Sequence, residues 1–188
     1  GLCGWIQSTS DQFDWTVQIG STGSPGTGPD SGAGGSGKYA FIETSSPRSN
    51  GDTATLTSGT TKGCALKFNY HMYGATIGKL EAKCSSDGTT WIVAWTKVGA
   101  QGSAWQTATV PSTCGGGDAL WSSTGTRGRS YTGDIAVDKL ELVACTAAPT
   151  AAPTNVGDTH SPTAAPTAAP TAAPTAAPTA APTPLTTV

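Results

Sequence analysis

The sequence has little charge and few of the side chains on which catalytic and metal sites depend. Charged residues make up 12% of its 188 positions, the formal net charge is −2, and there are two histidines. Nucleic acids and anionic membranes both require a basic surface, so we expect neither as a partner. No apolar run reaches the roughly 18 residues that a bilayer span needs, and no membrane span is expected.

Catalytic motifs are missing as well. The sequence contains neither Gly-x-Ser-x-Gly nor His-Glu-x-x-His, and its carboxylates are scattered rather than paired as in a glycosidase. His71 lies in a predicted strand, where a half-exposed, hydrogen-bonded side chain is expected, and His160 lies near the C-terminus. We therefore predict that the chain is not an enzyme and requires no cofactor.

A glycine-rich stretch matches the sequence pattern of a nucleotide-binding loop. Gly32, Gly34 and Gly37 satisfy G-x-G-x-x-G. This fingerprint binds phosphate only where a helix follows the glycines and presents its N-terminus to the anion. Here residues 39–42 have the composition of a strand. We interpret residues 20–37 as a long polar loop, called the long loop below, and expect no nucleotide.

The cysteines indicate an oxidising compartment. No two of them have CxxC spacing, so a zinc site or a redox motif is not favoured. Widely spaced cysteines are typical of disulfides in a secreted, cell-surface or appendage protein, and the location is predicted to be extracellular. An odd number implies that one cysteine bonds outside this chain. The five cysteines are Cys3, Cys64, Cys84, Cys114 and Cys145.

The end of the chain has a composition of its own. The repeat Ala-Ala-Pro-Thr occupies residues 147–150 and 151–154, and then recurs five times over residues 164–183. Every cysteine and every tryptophan precedes it. We therefore divide the chain into a folded domain at residues 1–145 and an extended tail at residues 146–188.

Proline at every fourth tail position favours polyproline II, which has three residues per turn. A four-residue repeat then rotates successive threonines by about 120°, so that their hydroxyls face all sides of the rod. Threonine beside proline suits O-glycosylation, and no Asn-x-Ser/Thr sequon occurs. An unmodified flexible linker is the alternative. The expected sites of covalent O-glycans are Thr150, Thr154, Thr163, Thr167, Thr171, Thr175, Thr179 and Thr183.

Residues 1–145 show short runs of alternating apolar and polar side chains between turn residues. In one run, residues 64–73, every second side chain is apolar, as expected of a strand with one buried face. In another run Trp91 and Trp95 are four positions apart and are expected to lie on one face. About eight such runs predict an all-β fold, a β-sandwich or jelly roll.

Several motifs, taken in order, resemble the MAM family, the extracellular module of meprins, neuropilins and receptor tyrosine phosphatase mu. They cover nearly all of residues 1–145. The resemblance implies a jelly-roll β-sandwich that serves adhesion or protein–protein contact. The motifs are Cys3-Gly4-Trp5 with Phe13-Asp14-Trp15, Cys64-x-Leu66-x-Phe68-x-Tyr70-His71-Met72, Trp95 with Gly102-x-x-Trp105, and Gly133-Asp134-Ile135-Ala136-Val137-Asp138 before Cys145.

The resemblance also implies a disulfide pattern. In the family, the position of Cys64 bonds to that of Cys145, which leaves Cys84 and Cys114 as a further pair. Spacing alone allows three pairings among these four. The family cysteine that bonds to the position of Cys3 lies upstream of the first residue here. Cys3 is therefore expected to bond to another chain or to a segment that precedes this sequence.

Calcium is the one metal for which the sequence offers ligands. Jelly-roll modules often hold a structural Ca²⁺ between a loop carboxylate and one near the last strand. Asp30, in the long loop, and Asp138, in the closing strand, are the candidates, with carbonyls and water supplying most of the oxygens. The alternative is a solvated Asp30 and an Asp138 that accepts hydrogen bonds from a loop.

These features lead to a hypothesis of a non-catalytic extracellular structural or adhesion protein. It would be a glycosylated subunit of a fibre or coat that self-associates or binds other extracellular proteins. One alternative is a non-catalytic domain of a larger secreted enzyme. The other is a monomeric adhesion or glycan-binding module on a mucin-like stalk, in which an exposed tryptophan stacks on sugar. The tryptophans considered are Trp5, Trp91, Trp95, Trp105 and Trp121.

Overall fold

The computed structural model describes residues 2–115 and 117–145, which form a sandwich of two antiparallel five-stranded sheets. The prediction of an all-β jelly-roll sandwich is confirmed. The chain divides into two units between Ala148 and Pro149, and the described residues all belong to the first. The predicted polyproline II tail lies outside them. Over the described ranges, no helix qualifies as a membrane-spanning segment.

The first sheet has the strand order β1-β4-β9-β6-β7 and the second the order β2-β3-β10-β5-β8. Neighbouring strands are antiparallel throughout. The strands are β1 (Ile6–Gln7), β2 (Thr16–Ile19), β3 (Lys38–Ile42), β4 (Thr53–Thr57), β5 (Ala65–Met72), β6 (Lys79–Ser85), β7 (Ile92–Val98), β8 (Gly102–Pro111), β9 (Leu120–Thr126) and β10 (Ile135–Val143).

The core lies between the two sheets and is built from the inward side chains of nearly every strand. Along β5, Leu66, Phe68, Tyr70 and Met72 are all buried, as the alternation in that run predicts. Trp121 of β9 is completely buried against the same core. Each large apolar side chain removed from water in this way stabilises the fold by about 1.5–3 kcal/mol.

The sequence pattern predicts neither β1 nor β9, although β9 lies at the centre of the first sheet. Its inward positions after Trp121 are Ser123 and Gly125, which give no apolar alternation. A Cβ at Gly125 would lie 3.0 Å from Ile42 Cδ1 and 3.1 Å from Trp15 Cζ2. Large side chains from the second sheet and from the chain before β2 thus fill the space that a larger residue in β9 would need.

The expectation that Trp91 and Trp95 share a face is wrong. In the pairing of β6 with β7, Ala82 lies opposite Trp95 and Lys83 lies opposite Val93, so β7 has one extra residue at this point. Such a bulge reverses the facing of the residues beyond it. Trp95 therefore packs inward on the core, whereas Trp91 lines the outer face of the sheet.

The long loop covers the outer face of the second sheet. The Tyr39 hydroxyl donates to the Gly20 carbonyl at 2.6 Å, and Trp105 Nε1 donates to the Ser31 carbonyl at 2.8 Å. His71 lies on this face of β5 and is only 2% exposed. The prediction of a half-exposed His71 is therefore wrong. Alternation placed the residue on the outer face correctly, but it cannot show that a loop covers that face.

The structure joins Cys64 to Cys145 and Cys84 to Cys114, the pairing that the family resemblance implies. Cys64 precedes β5 and Cys145 follows β10, and these two strands are neighbours in the second sheet. Cys3 is exposed. It lies beside an apolar cavity of about 440 Å³ between the N-terminal segment and the second sheet.

Candidate ligand-binding groove

A polar groove of about 790 Å³ runs across the outer face of the first sheet. Its floor is formed by the outward side chains of β4, β9 and β6, and its rim by loop residues at both ends of these strands. The volume is within the usual range of ligand sites, roughly 300–1,000 Å³. The floor residues are Thr53, Thr55, Thr57, Lys79, Glu81, Lys83, Ser122, Thr124 and Thr126.

The strand register arranges the floor in three parallel rows. The middle row contains Thr55, Thr124 and Glu81, because Thr124 of β9 lies opposite both of the others. The flanking rows are Thr53, Thr126 and Lys79 on one side and Thr57, Ser122 and Lys83 on the other. Rows are about 7 Å apart and strands about 4.8 Å apart. Hydroxyl groups thus form a closely spaced array on two adjacent strands.

An ion-pair network borders these hydroxyls. Glu81 lies 2.9 Å from Lys79 Nζ and 3.4 Å from Lys83 Nζ, and its side chain is 12% exposed. Burial alone would raise the pKa of Glu81, but the two lysines outweigh burial and lower it. A carboxylate held ionised in this way is unsuited to the proton donation that a glycosidase acid must perform. The network therefore supplies paired charges to the groove and does not have the geometry of a glycosidase acid–base pair.

The rim adds a second carboxylate and an aromatic ring. Asp11 lies beside β4, and its Oδ2 is buried with no hydrogen-bond partner among the described residues. Burial raises the pKa of Asp11, although hydrogen bonds from Thr55 oppose the shift. Trp91 lines the groove just before β7 begins. The rim therefore adds a half-buried carboxylate and a partly exposed indole to the groove.

Of the five tryptophans considered as sugar-stacking residues, only Trp91 lines this groove. Trp121 is completely buried, and Trp95 packs edge-on against Phe68 and Tyr70. Trp5 packs against the core, and Trp105 lies beneath the long loop. The floor hydroxyls of β9 were not predicted, because that strand was not. The sequence does contain one signal of this polar face, because Lys79, Glu81 and Lys83 occupy alternate positions of a predicted strand.

The predicted calcium ligands are not assembled into a site of three or more ligands. Asp30 is exposed. Asp138 Oδ2 accepts from the Ala33 backbone at 2.9 Å and Oδ1 from the Lys139 backbone at 2.7 Å. These bonds match the alternative in which Asp138 anchors a loop. Among the described residues, the one cluster of three His, Cys or acidic side chains is Cys64, Asp118 and Cys145, and its two cysteines form a disulfide.

A different carboxylate, Asp134, is buried and has one oxygen without a hydrogen-bond partner among the described residues. It is completely buried, and its Oδ1 accepts from Thr44 N at 3.1 Å and from Thr44 Oγ1 at 2.9 Å. Its Oδ2 has no hydrogen-bond partner among the described residues. The Tyr131 carbonyl lies 3.1 Å from the same Thr44 hydroxyl. Burial, with nearby Glu43, raises the pKa of Asp134 despite these hydrogen bonds.

Asp134→Ala is expected to lower the free energy of unfolding by about 1–3 kcal/mol, because it leaves the buried Thr44 backbone N–H without its acceptor. Asp134→Asn retains an acceptor oxygen and is expected to cost less. Urea denaturation of both variants in EDTA measures the difference. If both variants were as stable as the wild type, the hydrogen bonds to Thr44 would contribute nothing.

His71 has no catalytic arrangement around it. Its Nε2 lies 3.0 Å from the Ser103 carbonyl, and its Nδ1 is buried with no partner among the described residues. Burial lowers the pKa of His71, although the Ser103 carbonyl and the Asp30 charge oppose the shift. The neutral ring thus fills a space beneath the long loop, with Trp105 at 5.5 Å between ring centroids.

The lowered pKa of His71 predicts a loss of stability in acid. The unfolded chain takes up a proton near its ordinary value of 6.5, while the folded chain does so only at lower pH. The free energy of unfolding should therefore fall as the pH drops below 6.5, until the folded-state pKa is reached. His71→Gln should remove this part of the profile, and Asp30→Asn should deepen it. Identical profiles for His71→Gln and wild type between pH 7 and 5 would contradict the assignment.

Comparison with known proteins now identifies the fold family. The family model described as MAM domain, meprin/A5/mu, matches residues 1–146. The chain belongs to the MAM family. This MAM domain is 40% identical over 153 residues to MAM domain-containing glycosylphosphatidylinositol anchor protein 1 of Rattus norvegicus, covering 75% of this chain and 16% of that protein. It is 32% identical over 152 residues to Neuropilin-1a of Danio rerio, covering 76% and 16%.

The chain thus spans about a sixth of the length of these curated relatives. Among solved structures, the K2 cleaved adhesin domain of Lys-gingipain is similar with a TM-score of 0.51 and 14% identity, covering 75% of this chain and 90% of that one. At this identity the likeness extends to the β-sandwich of the MAM domain and no further. The predicted O-glycosylated threonines, Thr150 to Thr183, lie outside the described residues.

Proposed function

We propose that this chain is a non-catalytic adhesion module of the extracellular space or cell surface, carried on an O-glycosylated Ala-Ala-Pro-Thr stalk. Membership of the MAM family supports the proposal, as do relatives named as an anchor protein and a neuropilin. The observation that carries it is the polar groove on the first sheet, which provides a contact surface without an acid–base pair.

Binding to arrays of extracellular proteins and of glycans tests the proposal. The full chain, biotinylated and tetramerised to increase avidity, should bind at least one array component saturably. The variant Glu81→Arg/Trp91→Ala should lose that binding, because it changes the floor and the rim of the groove together. Thr109→Ala, at an exposed position of β8 in the other sheet, is the matched control and should bind like the wild type.

Two results would contradict the proposal. One is the absence of saturable binding on both arrays. The other is binding that survives the groove variant unchanged, because the contact surface would then lie elsewhere. Unfolding temperatures of the three proteins should agree, so that a loss of binding reports the groove rather than the fold.

A second candidate function is a subunit of an extracellular fibre or coat that assembles through the folded domain and the stalk. Its structural support is β7, the edge strand of the first sheet. Ile92, Val93 and Val98 are 47%, 48% and 66% exposed on it. An edge strand with exposed apolar side chains favours pairing with another chain. If the tail repeat forms the predicted polyproline II rod, with threonines on every side, it would supply the extended part of such an assembly.

Sedimentation velocity and electron microscopy of the full chain distinguish the two candidates. The fibre hypothesis expects assembly that grows with concentration and is suppressed by Val98→Lys, which adds charge to the edge. Mass spectrometry should show glycans on the tail threonines. A monodisperse monomer would contradict the fibre hypothesis and leave the adhesion module. Unmodified threonines would contradict the O-glycosylated stalk in both proposals.

We further propose that calcium binds near Asp134 rather than between Asp30 and Asp138. The supporting observation is the buried, unpartnered Oδ2 of Asp134 beside the Thr44 hydroxyl and the Tyr131 carbonyl. Oxygen ligands of these kinds are the ones that Ca²⁺ prefers. A bound cation would balance a carboxylate that burial otherwise keeps from ionising easily.

Calorimetry with and without calcium tests this assignment. Excess Ca²⁺ should raise the unfolding temperature of the wild type relative to EDTA, since a ligand at about 100 times its Kd stabilises by about 2.7 kcal/mol. Asp134→Asn should abolish the increase, and Asp138→Asn should retain it. No increase in the wild type would contradict calcium binding, and the opposite pattern in the variants would restore Asp138 as the ligand.

A further inference from the structure

We propose that the ligand of the groove is a neutral oligosaccharide, held by the hydroxyl rows of β4 and β9 and stacked at one end on Trp91. The inference rests on the proposed function, since it takes the groove as the contact surface and names the class of molecule that it binds. Three properties of the groove carry it: its charge balance, the polarity of its centre, and the position of its one aromatic ring.

The charges of the groove cancel. Lys79 and Lys83 are matched by Glu81 and Asp11, and among the residues that the structure describes no other charged side chain lines the groove. Glu81 already holds both lysines, at 2.9 and 3.4 Å. An acidic polysaccharide would have to compete with Glu81 for these lysines and would meet two carboxylates. A neutral ligand carries no such cost and can donate hydrogen bonds to Glu81 and Asp11.

The centre of the groove is polar, which disfavours a protein partner. Protein interfaces have an apolar, largely uncharged core surrounded by a polar rim. Here the order is reversed: Thr55, Thr124 and Glu81 form the middle row, while Trp91 and Leu120 lie toward one end. The Thr55 and Thr124 hydroxyls are 3.1 Å apart and bond each other, and because Thr124 is only 5% exposed, the pair meets a ligand chiefly through the half-buried Thr55. Paired hydroxyls that donate and accept are suited to the vicinal hydroxyls of a sugar.

The aromatic ring is placed where a sugar ring could cover it. Trp91 follows the turn after β6, in which Asp87 accepts hydrogen bonds from the backbones of Thr89 and Thr90 at 2.8 and 2.7 Å. These bonds order the backbone immediately before Trp91, which places this residue at the end of the groove. A preorganised aromatic face costs little entropy on binding and contributes a large contact area.

Calorimetric titration of the full chain with defined hexasaccharides tests the inference. The neutral probes are cellohexaose, mannohexaose, xylohexaose and maltohexaose, and the acidic probes are hexagalacturonate and a heparin hexasaccharide. At least one neutral probe should bind saturably and more tightly than both acidic probes. Trp91→Ala should weaken that binding about tenfold or more, and Thr124→Val, which removes a hydroxyl at equal size, about fivefold.

Glu81→Gln tests the charge balance directly. It leaves Lys79 and Lys83 without their counter-ion, so affinity for hexagalacturonate should rise while Thr109→Ala remains like the wild type. The inference is overturned if no neutral probe binds, if an acidic probe binds the wild type more tightly, or if Trp91→Ala and Thr124→Val leave binding unchanged. In the first case, groove-dependent binding on the protein array would uphold the adhesion proposal and reject only the ligand class. The absence of saturable binding on the protein array and on the glycan array would reject both the adhesion proposal and the neutral-oligosaccharide ligand.

Discussion

Trp121→Ala is expected to lower the free energy of unfolding by about 3–5 kcal/mol, the cost of removing a fully buried tryptophan. Trp121 is completely buried at the centre of the first sheet. Its indole Nε1 also donates to the Gly63 carbonyl at 3.0 Å, and alanine would remove this hydrogen bond and leave the carbonyl with the Ala119 backbone N–H alone. Guanidinium denaturation of the oxidised protein, followed by far-ultraviolet circular dichroism, measures the change independently of indole fluorescence.

Trp121→Phe separates the two contributions. Phenylalanine keeps most of the buried volume but has no N–H donor, so this variant should lose about 1–2 kcal/mol. The remainder of the alanine effect then reports the cavity. A value for Trp121→Ala within 1 kcal/mol of the wild type would mean that the sandwich closes around the missing ring, and would contradict the packing described for β9.

The strand that carries Trp121 also shows how far the sequence could predict the fold. Short runs of alternating apolar and polar side chains predict about eight strands. The sequence of β9, Leu-Trp-Ser-Ser-Thr-Gly-Thr, lacks this alternation. Beyond Trp121, the inward residues of β9 are small because Ile42 and Trp15 occupy the space next to Gly125. That reason is tertiary, and no window of local sequence contains it. A search for apolar side chains at every second position therefore does not detect β9.

The groove could be predicted only in part for the same reason. Lys79, Glu81 and Lys83 alternate along a predicted strand, and their outward position follows from period two. The hydroxyl rows need Thr124 of β9 beside Thr55 of β4, a pairing 69 residues apart. Trp91 was assigned to the face of Trp95, and the bulge in β7 separates them. A single inserted residue thus decides which of the two tryptophans lines the groove.

The two aspartates near β10 show a similar limit of the sequence pattern. Asp134 and Asp138 are four residues apart in one motif, so the alternation of side chains along the strand does not distinguish between them. The difference arises from what surrounds Asp134, just before β10, and Asp138, within it. Asp138 meets the backbones of Ala33 and Lys139, which satisfy both of its oxygens. The Oδ1 of Asp134 accepts hydrogen bonds from the Thr44 backbone and hydroxyl, whereas its Oδ2 has no hydrogen-bond partner among the described residues.

Removal of the Cys64–Cys145 disulfide is expected to have an effect as large as that of Trp121→Ala. The two cysteines are 81 residues apart in sequence. Restricting an unfolded loop of this length corresponds to about 4–5 kcal/mol in the chain-entropy model, near the upper end of measured values. The double variant Cys64→Ser/Cys145→Ser should therefore lower the free energy of unfolding by about that amount. Urea denaturation without reductant keeps the other disulfide closed.

The second disulfide provides the matched comparison. Cys84 and Cys114 are 30 residues apart, so Cys84→Ser/Cys114→Ser should cost about 3–4 kcal/mol by the same model. The order of the two effects follows from loop length, provided that neither substitution disturbs the native packing. Cys84 and Cys114 belong to the buried core, whereas Cys145 is exposed. A larger loss at the shorter loop would therefore show that core packing around Cys84, rather than chain entropy, dominates the contribution of disulfides to this sandwich.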